Sequence, residues 1–289
     1  MSPEIKAFFH QASSTLCYVV TCPESRKCAV IDPVLDFDIY SGAIATDFVA
    51  EVMQYIREHE LQLEWLLETH AHADHVTAAS YMKKQLGGKI ACGRNITSIQ
   101  QTFKTVFNLK DLNTNGEQFD RLLDEGEELA LGLCTITVLA TPGHTPDSLT
   151  YVIGNNAFIG DTLFMPDSGS ARCDFPSGSA AQLYQSIQKI YQLGNDVTLY
   201  MCHDYQPNQR ELKYACSVAE QKEMNIHIAC SVSEQEYIST REQRDAGLAI
   251  PRLLYPSLQF NIIAGQLPAA DENNQHYLKL PISGIDKLG

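Results

Sequence analysis

Three of the nine histidines in this 289-residue chain fall within six residues, at His70, His72 and His75, with the carboxylate of Asp74 among them. An apolar run directly precedes this segment, so we expect the cluster to form a loop after a buried strand. Imidazole and carboxylate groups are the ligands that zinc and iron favour in proteins. The cluster therefore predicts a metal site, and it restricts the chain to folds that can bring further ligands to this loop.

The residues on either side of the cluster predict a strand followed by a helix. Leu63–Glu68 has the short apolar pattern of a strand, and His75–Leu86 has helical spacing and stops at a pair of glycines. A second helix is predicted over Thr46–Glu60, where apolar residues again recur at helical spacing. Ligands of α/β sheets bind beyond the carboxyl ends of strands, and the cluster occupies such a position.

Potential metal ligands also follow three further predicted strands. The pairs are Cys134–Leu139 with His144, Ala157–Gly160 with Asp161, and Val197–Met201 with His203. A single histidine at a strand end is usually an ordinary polar residue, but four strand ends with ligands are hard to attribute to chance. Because these strands alternate with helical segments, the pattern favours an α/β protein that gathers its metal-binding loops at one edge.

Counting ligands leaves two chemistries open. The candidates are His70, His72, Asp74, His75, His144, Asp161 and His203. If all seven bind, Asp161 could bridge two metal ions, an arrangement suited to hydrolysis. If only two histidines and one carboxylate bind, the site is a facial triad with open positions, which is typical of oxygen-activating iron(II). Open coordination positions in either case indicate a catalytic metal.

Composition narrows the range of partners and compartments. The net charge of −14 argues against nucleic acid, because phosphate binding needs a basic surface. No apolar run is long enough to span a bilayer, and the N-terminus lacks the pattern of a signal peptide. The nine cysteines form no C-x-x-C pair, so we expect mostly buried reduced thiols, Cys173 and Cys202 included, and a cytoplasmic protein.

Four motifs together resemble those of the metallo-β-lactamase superfamily. They are Thr69–His75, Pro142–Thr145, Gly160–Thr162 and Cys202–Tyr205. The resemblance implies an α/β (α+β) fold, a four-layer αββα sandwich in which two mixed sheets carry helices outside and the metal lies at one edge. We expect one such domain over 1–289, with a core at about 5–205 and a helical and extended C-terminal segment at about 206–289.

A narrower resemblance relates nearly the whole chain to bacterial persulfide dioxygenases, also called sulfur dioxygenases. The similar stretches are Glu68–His75, Gly160–Asp167, Ala171–Phe175, Val218–Gln221, Asn225–Ile228 and Leu278–Pro281. The resemblance implies an enzyme that oxidises glutathione persulfide to sulfite and glutathione with O₂ at one non-haem iron. The alternative is a thioester hydrolase similar to glyoxalase II (hydroxyacylglutathione hydrolase) with two zinc or iron ions, since all seven candidate ligands are present.

The narrower resemblance also implies roles for the candidate ligands, with one Fe(II) per chain, or one or two Zn(II) ions as the alternative. The implied iron ligands are His70, His144 and Asp161. The residues that would surround the iron, or bind a second metal, are His72, Asp74, His75 and His203. Among the surrounding residues, His203 and Asp74 are the candidates for a catalytic role, because neighbours of a metal ligand orient it and tune the metal.

Glutathione carries two carboxylates, so its binding site should offer cations. Arg172 is the first candidate for both catalysis and substrate binding, since its planar guanidinium suits a carboxylate. An ion pair of Arg172 with Asp174 or Asp167 is the alternative. Tyr205 and Arg210 are further candidates for substrate binding, although the glycines expected after Tyr205 are replaced here by other residues.

Two groups of residues fall outside the predicted site. The isolated histidines, expected to be surface or hydrogen-bonded core residues, are His10, His59, His227 and His276. The apolar residues of the C-terminal segment are Leu253, Leu254, Leu258, Phe260, Ile262 and Ile263. Either the domain or a second subunit must cover the apolar group, so we expect a homodimer or a larger homo-oligomer.

Overall fold

Apolar residues that alternate along short strands build two six-stranded sheets in the computed structural model, which describes residues 2–283. The first sheet contains β1 (Glu4–His10), β2 (Thr15–Thr21), β3 (Lys27–Ile31), β6 (Gln62–Leu67), β8 (Lys89–Gly93) and β9 (Arg121–Leu123). The second contains β10 (Glu128–Leu131), β11 (Cys134–Ala140), β12 (Leu149–Ile153), β13 (Asn156–Phe158), β14 (Thr198–Tyr200) and β15 (Ala215–Ser217). A small third sheet contains β4 (Val34–Phe37), β5 (Ile44–Ala45) and β7 (Val76–Thr77).

Parallel pairing brings the ends of the ligand-bearing strands together. In the first sheet β3 runs parallel to β6 and β6 runs parallel to β8, so the carboxyl ends of β3 and β6 share one edge. In the second sheet β13 and β14 are parallel neighbours, and their carboxyl ends lead to Asp161 and His203. The strand-end ligands therefore meet at one edge, as the alternation of strands and helices predicts.

The helices cover the outer faces of the two large sheets. They are α1 (Asp47–Glu58), α2 (Ala79–Leu86), α3 (Ile96–Val106), α4 (Ala180–Tyr191), α5 (Val218–Met224), α6 (Glu234–Asp245) and α7 (Leu254–Asn261). Within residues 2–283, no helix combines the length and apolar character that crossing a membrane requires.

The strand β2 shows how the layers form, because it is buried on both faces. Leu16 and Tyr18 pack in the core between the two sheets, whereas Cys17 and Val19 pack in the core beneath α1, α2 and α3. A third core lies between the second sheet and α4. Full burial of one large aliphatic side chain contributes about 1.5–3 kcal/mol, so each interface is strongly favourable. The expected αββα sandwich is confirmed.

Two predicted elements differ from the structure. The helix expected from His75 begins only at Ala79, because Val76 and Thr77 first pair with β4 as the strand β7. In the C-terminal segment, Pro256 lies inside α7 rather than breaking it. This proline occupies the third helical position, where the backbone N–H has no intrahelical acceptor and is not missed.

The C-terminal segment is joined to the metal-binding loop by α7. Its apolar residues Leu258 and Phe260 are buried in the core beneath α1, α2 and α3. Asn261 donates from Nδ2 to the backbone carbonyls of His72 and His75, both at 2.8 Å. The chain itself therefore covers much of the apolar segment, while the homo-oligomer and the exact domain bounds stay predictions.

We expect Asn261→Ala to lower the free energy of unfolding by about 2–4 kcal/mol, since it leaves buried backbone groups unpaired. Besides the two carbonyls, Oδ1 of Asn261 accepts the backbone N–H of Thr77 (2.9 Å). Urea unfolding followed by circular dichroism measures the change. Gln266→Ala, at an exposed position of the same segment, is the matched control and should alter the unfolding free energy by less than about 0.5 kcal/mol. Equal effects of the two substitutions would contradict this account.

Candidate metal centre

The loop that follows β6 is fixed at its start by the buried carboxylate of Asp32, the residue after β3. Oδ1 of Asp32 accepts the backbone N–H of Thr69 (2.7 Å) and lies 3.0 Å from Nε2 of His72. Because a carboxylate only accepts, Nε2 of His72 carries a proton and its Nδ1 is left for the centre. Burial would raise the pKa of Asp32, but the His72 ring and the bonds from Thr69 hold that pKa below its ordinary value.

Two other parts of the chain hold the middle of the same loop. Oδ2 of Asp147, between β11 and β12, accepts the backbone N–H of Ala71 (2.9 Å). Asn261 of α7 holds the carbonyls of His72 and His75, as described above. Burial raises the pKa of Asp147 to about 6. The backbone of the loop is therefore set by three elements that are far apart in sequence.

Two glycines allow the remaining ligands to approach this loop. Gly160 has a φ of +51°, and a Cβ at that position would lie 2.7 Å from Oγ1 of Thr69. Gly143 has a φ of +140°, and a Cβ there would lie 2.3 Å from the backbone nitrogen of Leu183 in α4. Both contacts are shorter than a side-chain carbon tolerates, so only glycine lets the residues that follow, Asp161 and His144, reach the centre.

Two histidines and one carboxylate converge at the centre. Nε2 of His70 and Nε2 of His144 lie 3.9 Å and 3.7 Å from Oδ2 of Asp161, and one ligand atom of each residue lies within 4.8 Å of the others. Nδ1 of His144 donates to the backbone carbonyl of Arg172 (2.7 Å). A carbonyl only accepts, so this bond places the proton on Nδ1 and directs the lone pair of Nε2 inward.

Thr69 sets the tautomer of His70 in the same way. The Thr69 hydroxyl donates to Oδ2 of Asp32 (2.9 Å), so it accepts from Nδ1 of His70 at 3.0 Å. Nε2 of His70 is then the nitrogen without a proton. Burial also holds the pKa of His70 well below its ordinary value, which keeps the ring in the neutral form that binds metal.

Asp74, His75 and His203 line the other side of the centre. Nε2 of His203 lies 3.4 Å from Oδ2 of Asp74 and 3.4 Å from Oδ1 of Asp161. Nδ1 of His75 lies 3.2 Å from Oδ2 of Asp74, and burial lowers the pKa of His75 to about 4. The structure thus brings all seven candidate ligands of the sequence into one centre.

Five buried atoms of the centre have no hydrogen-bond partner within residues 2–283. They are Nε2 of His70, Nδ1 of His72, Nε2 of His75, Oδ1 of Asp161 and Nε2 of His203. A buried polar atom without a partner costs about 1–3 kcal/mol, so five in one place are strongly unfavourable. Coordination of a metal ion would satisfy them, and imidazole with carboxylate is a donor set that fits zinc or iron.

Arg172 lies beside the centre, but its side chain is occupied. Its Nε and Nη2 pair with the carboxylate of Asp174, and its Nη1 donates to the backbone carbonyl of Ala249 (2.8 Å). The carbonyl of Arg172, not its guanidinium, contacts His144. Arg172 therefore holds its own loop, and its contact with glutathione remains a prediction.

The helix α6 holds the loop of Arg172 in place through two of its charged residues. Arg241 and Asp245 form a buried ion pair (2.6 Å). Nη1 of Arg241 donates to the carbonyl of Ser170 (3.0 Å), and Oδ2 of Asp245 accepts the N–H of Cys173 (2.7 Å). Charged residues four apart in a polar helix usually form a surface pair, so the sequence does not indicate this role.

The loop after His203 borders the centre through Tyr205. Its ring stacks on the ring of His203, with centroids 5.6 Å apart. The guanidinium of Arg210 holds this loop closed. It forms one ion pair with Asp204 of the same loop (2.6 Å) and another with Asp167 of the loop that follows Asp161. Tyr205 thus contacts a residue of the centre directly, whereas the guanidinium of Arg210 is held by two carboxylates.

Backbone conformation explains why glycines were expected in this loop. Gln206, Asn208 and Gln209 have φ values of +46°, +57° and +59°, in the left-handed region that favours glycine. Each such residue costs about 1–2 kcal/mol. The chain keeps the glycine-type conformation without glycine, and the ion pairs of Arg210 help to offset the strain.

Sequence reasoning missed the residues that orient the ligands. Asp32 had a detectable signal, since it is a carboxylate that directly follows an apolar strand at the same sheet edge as the cluster. The sequence contains no such signal for Asp147 or Asn261, because both bind backbone groups that are distant in the chain. The partner of Asp147 is 76 residues away, and the partners of Asn261 are at least 184 residues away.

Fold and centre together define a class of protein, an αββα sandwich whose loops gather imidazole and carboxylate ligands for a metal ion at one edge. Residues 11–203 match the family described as the metallo-beta-lactamase superfamily. The chain belongs to this superfamily of metal-dependent enzymes, as the four sequence motifs predicted.

Relatives within the superfamily have two kinds of name. A "Beta-lactamase hydrolase-like protein" of Agrobacterium fabrum is 45% identical over 98% of this chain, and the chain spans 66% of that relative's length. "Glyoxylase B2" of Dictyostelium discoideum is 42% identical over 97% of each chain. Human "Persulfide dioxygenase ETHE1, mitochondrial" is 31% identical over 70% of this chain and 68% of its own. The crystal structure of ETHE1 from Myxococcus xanthus matches with a TM-score of 0.74 and 28% identity, over 91% of this chain and 100% of that one.

The roles of His144 and His203, which lie near different oxygen atoms of Asp161, can be separated by substitution. We expect His144→Ala to remove most of the bound metal, whereas His203→Ala should keep most of it and lose activity by about 10–100-fold, as neighbours of a ligand do. Metal per chain is measured by mass spectrometry, with the exposed His59→Ala as the control. Equal metal loss in the two variants would show that His203 is itself a ligand.

We expect Asp32→Asn to destabilise the fold by about 3–5 kcal/mol, since it breaks a buried pair with the His72 ring. The amide has only one acceptor oxygen, so it cannot serve both Oδ1, which accepts from the Thr69 N–H and His72, and Oδ2, which accepts from the Thr69 hydroxyl. Urea unfolding and metal content are the measurements, and Asp111→Asn at an exposed position is the matched control. Wild-type stability of Asp32→Asn would refute the central role of this carboxylate.

Proposed function

We propose that this chain is a persulfide dioxygenase that converts glutathione persulfide to sulfite and glutathione with one iron(II) per chain. The observation that carries the proposal is the convergence of His70, His144 and Asp161, whose ligand atoms lie within 4.8 Å of one another. Two histidines and one carboxylate leave three positions of an octahedral metal open, as in oxygen-activating iron(II) enzymes. The similarity to the human persulfide dioxygenase and to the Myxococcus ETHE1 structure supports the same reaction.

Iron(II), when bound, supplies the redox chemistry that lets O₂ react with a persulfide sulfur. The protein supplies ligand orientation and a dry site. The carbonyl of Arg172 fixes the ring of His144, and the hydroxyl of Thr69 fixes the ring of His70. His203 and Asp74, 3.4 Å apart, are proposed to hydrogen-bond the reacting groups on the opposite side.

The proposed reaction releases acid. One persulfide, one O₂ and one water give one glutathione, one sulfite and two protons. The sulfur–sulfur bond breaks, the terminal sulfur receives three oxygen atoms, and the glutathione sulfur retains one hydrogen. Six of the seven residues of the centre are buried, whereas the side chain of Asp74 is 30% exposed.

We place the glutathione moiety at the rim formed by Arg172, Tyr205 and Arg210. The ring of Tyr205 is 54% exposed while it stacks on His203, so it can contact the substrate next to the centre. A substrate carboxylate that binds Arg172 would compete with Asp174 for the guanidinium. Substrate binding at this rim is therefore an exchange of ion pairs rather than the filling of a free cationic site.

A binuclear thioester hydrolase is the second candidate, and one feature favours it. Asp161 faces His70 and His144 with Oδ2 and His203 with Oδ1, which is how a carboxylate bridges two metal ions. The relatives named "Beta-lactamase hydrolase-like protein" and "Glyoxylase B2" also support hydrolysis.

Metal content and oxygen uptake together separate the two candidates. The iron(II)-loaded protein is expected to hold one iron per chain, to consume one O₂ per glutathione persulfide and to form sulfite, because a three-residue donor set binds a single ion. His144→Ala is the inactive control, and His59→Ala should match the wild type. Two metal ions per chain, no oxygen uptake and hydrolysis of S-lactoylglutathione would contradict the proposal and support the hydrolase.

A further inference from the structure

Two turns, one from each large sheet, meet at the edge of the protein opposite the metal centre. The first joins β2 to β3 and begins at Cys22, and the second joins β10 to β11 and leads to Cys134. Because β2 runs antiparallel to β3, its end lies away from the edge where β3 leads to Asp32. The strand β11 begins at Cys134, and its other end leads to His144. The two cysteines are therefore separated from the centre by the length of a strand.

The two turns are in direct contact at Gly132. A Cβ at that position would lie 1.8 Å from Oγ of Ser25 and 3.3 Å from Sγ of Cys22. Glu64 of β6 holds both turns, since its Oε2 accepts the N–H of Gly132 (3.1 Å) and its Oε1 pairs with Lys27 (2.8 Å). The approach of the two turns is thus fixed by side chains of the surrounding strands.

Several hydrogen-bond donors converge on the sulfur atom of Cys22. The N–H of Leu133 donates to it (3.4 Å), and the thiol of Cys134 donates to it as well. Ser25 donates from its backbone N–H and from its hydroxyl. The hydroxyl hydrogen is available for this bond, because the hydroxyl oxygen accepts the N–H of Lys27 (3.4 Å). Donors that gather around one acceptor favour its charged form, which here is the thiolate.

The two sulfur atoms differ in acidity. Burial would raise the pKa of Cys22, but the hydrogen bonds from Ser25, Leu133 and Cys134 lower that pKa to about 7. Burial and the bond to Cys22 raise the pKa of Cys134 to about 11. Burial likewise holds the pKa of Cys17 well above its ordinary value. Since the thiolate is the nucleophile in thiol chemistry, Cys22 is the member of the pair that attacks.

The sulfur atom of Cys22 lies beneath an exposed turn. Cys22 itself is fully buried, but Leu133, whose N–H contacts the sulfur, is 66% exposed. Pro23 and Ser25 on the other side are half-buried. Short exposed turns open locally at a small free-energy cost, so a small reagent can reach the sulfur without unfolding the sheets.

We propose that Cys22 and Cys134 form a redox-active dithiol site, which a low-molecular-weight disulfide such as glutathione disulfide oxidises to a bond between the two sheets. The site is separate from the metal centre and does not rest on the proposed dioxygenase reaction.

The reaction balances in two steps. The thiolate of Cys22 attacks one sulfur of the small disulfide, whose sulfur–sulfur bond breaks, and a small thiolate leaves. This thiolate takes the proton of Cys134, and the sulfur of Cys134 then attacks the sulfur of Cys22 and displaces the second small thiolate. That thiolate takes up the proton that Cys22 gave to water. The two protein sulfurs lose two electrons, and the small disulfide gains them as it becomes two thiols.

Simple packing of two small apolar side chains is the competing account. Both cysteines belong to the core between the two large sheets, where a thiol usually acts as a small hydrophobic group. Packing alone favours the neutral thiol at both positions and needs no donors directed at Cys22. It therefore predicts that both thiols are inert in the folded protein, which reactivity can test.

Oxidation of the folded, metal-loaded protein by glutathione disulfide at neutral pH tests the proposal. Peptide mass spectrometry reads each cysteine, and in the wild type we expect a disulfide between Cys22 and Cys134. In Cys134→Ser a mixed disulfide with glutathione should accumulate at Cys22, because no second thiol displaces it. In Cys22→Ser the thiol of Cys134 should stay unmodified over the same period. The buried Cys28→Ser is the matched control and should form the disulfide like the wild type.

Two outcomes of this experiment would overturn the proposal. One is an unmodified Cys22 in the wild type under conditions that modify the exposed Cys230. The other is a mixed disulfide that persists at Cys22 although Cys134 is present.

The rate of alkylation by iodoacetamide gives a second readout that leaves both sulfur atoms in place. Ser25→Ala removes one donor, so the rate at Cys22 should fall about threefold to tenfold at neutral pH, because a smaller fraction of the sulfur is thiolate. Ser41→Ala, in an exposed turn elsewhere, is the matched control, and the rate at Cys230 is the internal reference. Urea unfolding verifies that both variants are folded. Equal rates at Cys22 in folded Ser25→Ala and in the wild type would contradict the role of the donors.

Discussion

The buried carboxylate of Asp32 is the contact on which the metal centre depends. Its two oxygen atoms accept from the backbone and hydroxyl of Thr69, from the ring of His72 and from the thiol of Cys202 (3.5 Å). These donors come from the loop after β6 and from the end of β14, so one anion joins both sheets. An isolated buried carboxylate would be very costly, and the four donors together make this one favourable.

Orientation of the ligands follows from this anion in short steps. Because the hydroxyl of Thr69 donates its hydrogen bond to Asp32, its oxygen accepts from Nδ1 of His70, and the other nitrogen of that ring faces the centre. The backbone carbonyl of Arg172 orients the ring of His144 in the same way, because it accepts the hydrogen bond from Nδ1. The loop of Arg172 is in turn held by α6, so residues in the C-terminal segment influence a ring that lies some hundred positions earlier in the chain.

The sequence predicted which side chains converge at the centre, but it did not predict the residues that hold them in place, for a physical reason. His70, His144 and Asp161 follow strands with clear apolar patterns, and the edge of a sheet is where such ends must meet. Supports such as Asp147 act on backbone groups, which every residue possesses, so no side-chain pattern reveals them. The late start of α2 at Ala79 has the same origin, because strand pairing with β4 overrides a helical pattern.

The bonds from Asn261 have a consequence for how the protein is made. The residue is synthesised 189 positions after His72, whose carbonyl it binds. At the usual pace of translation this separation corresponds to roughly 10–40 seconds. During that interval the nascent chain already carries its cluster of imidazoles, but the loop lacks the contact that shapes it. The contact between α7 and the loop can therefore form only late in biosynthesis.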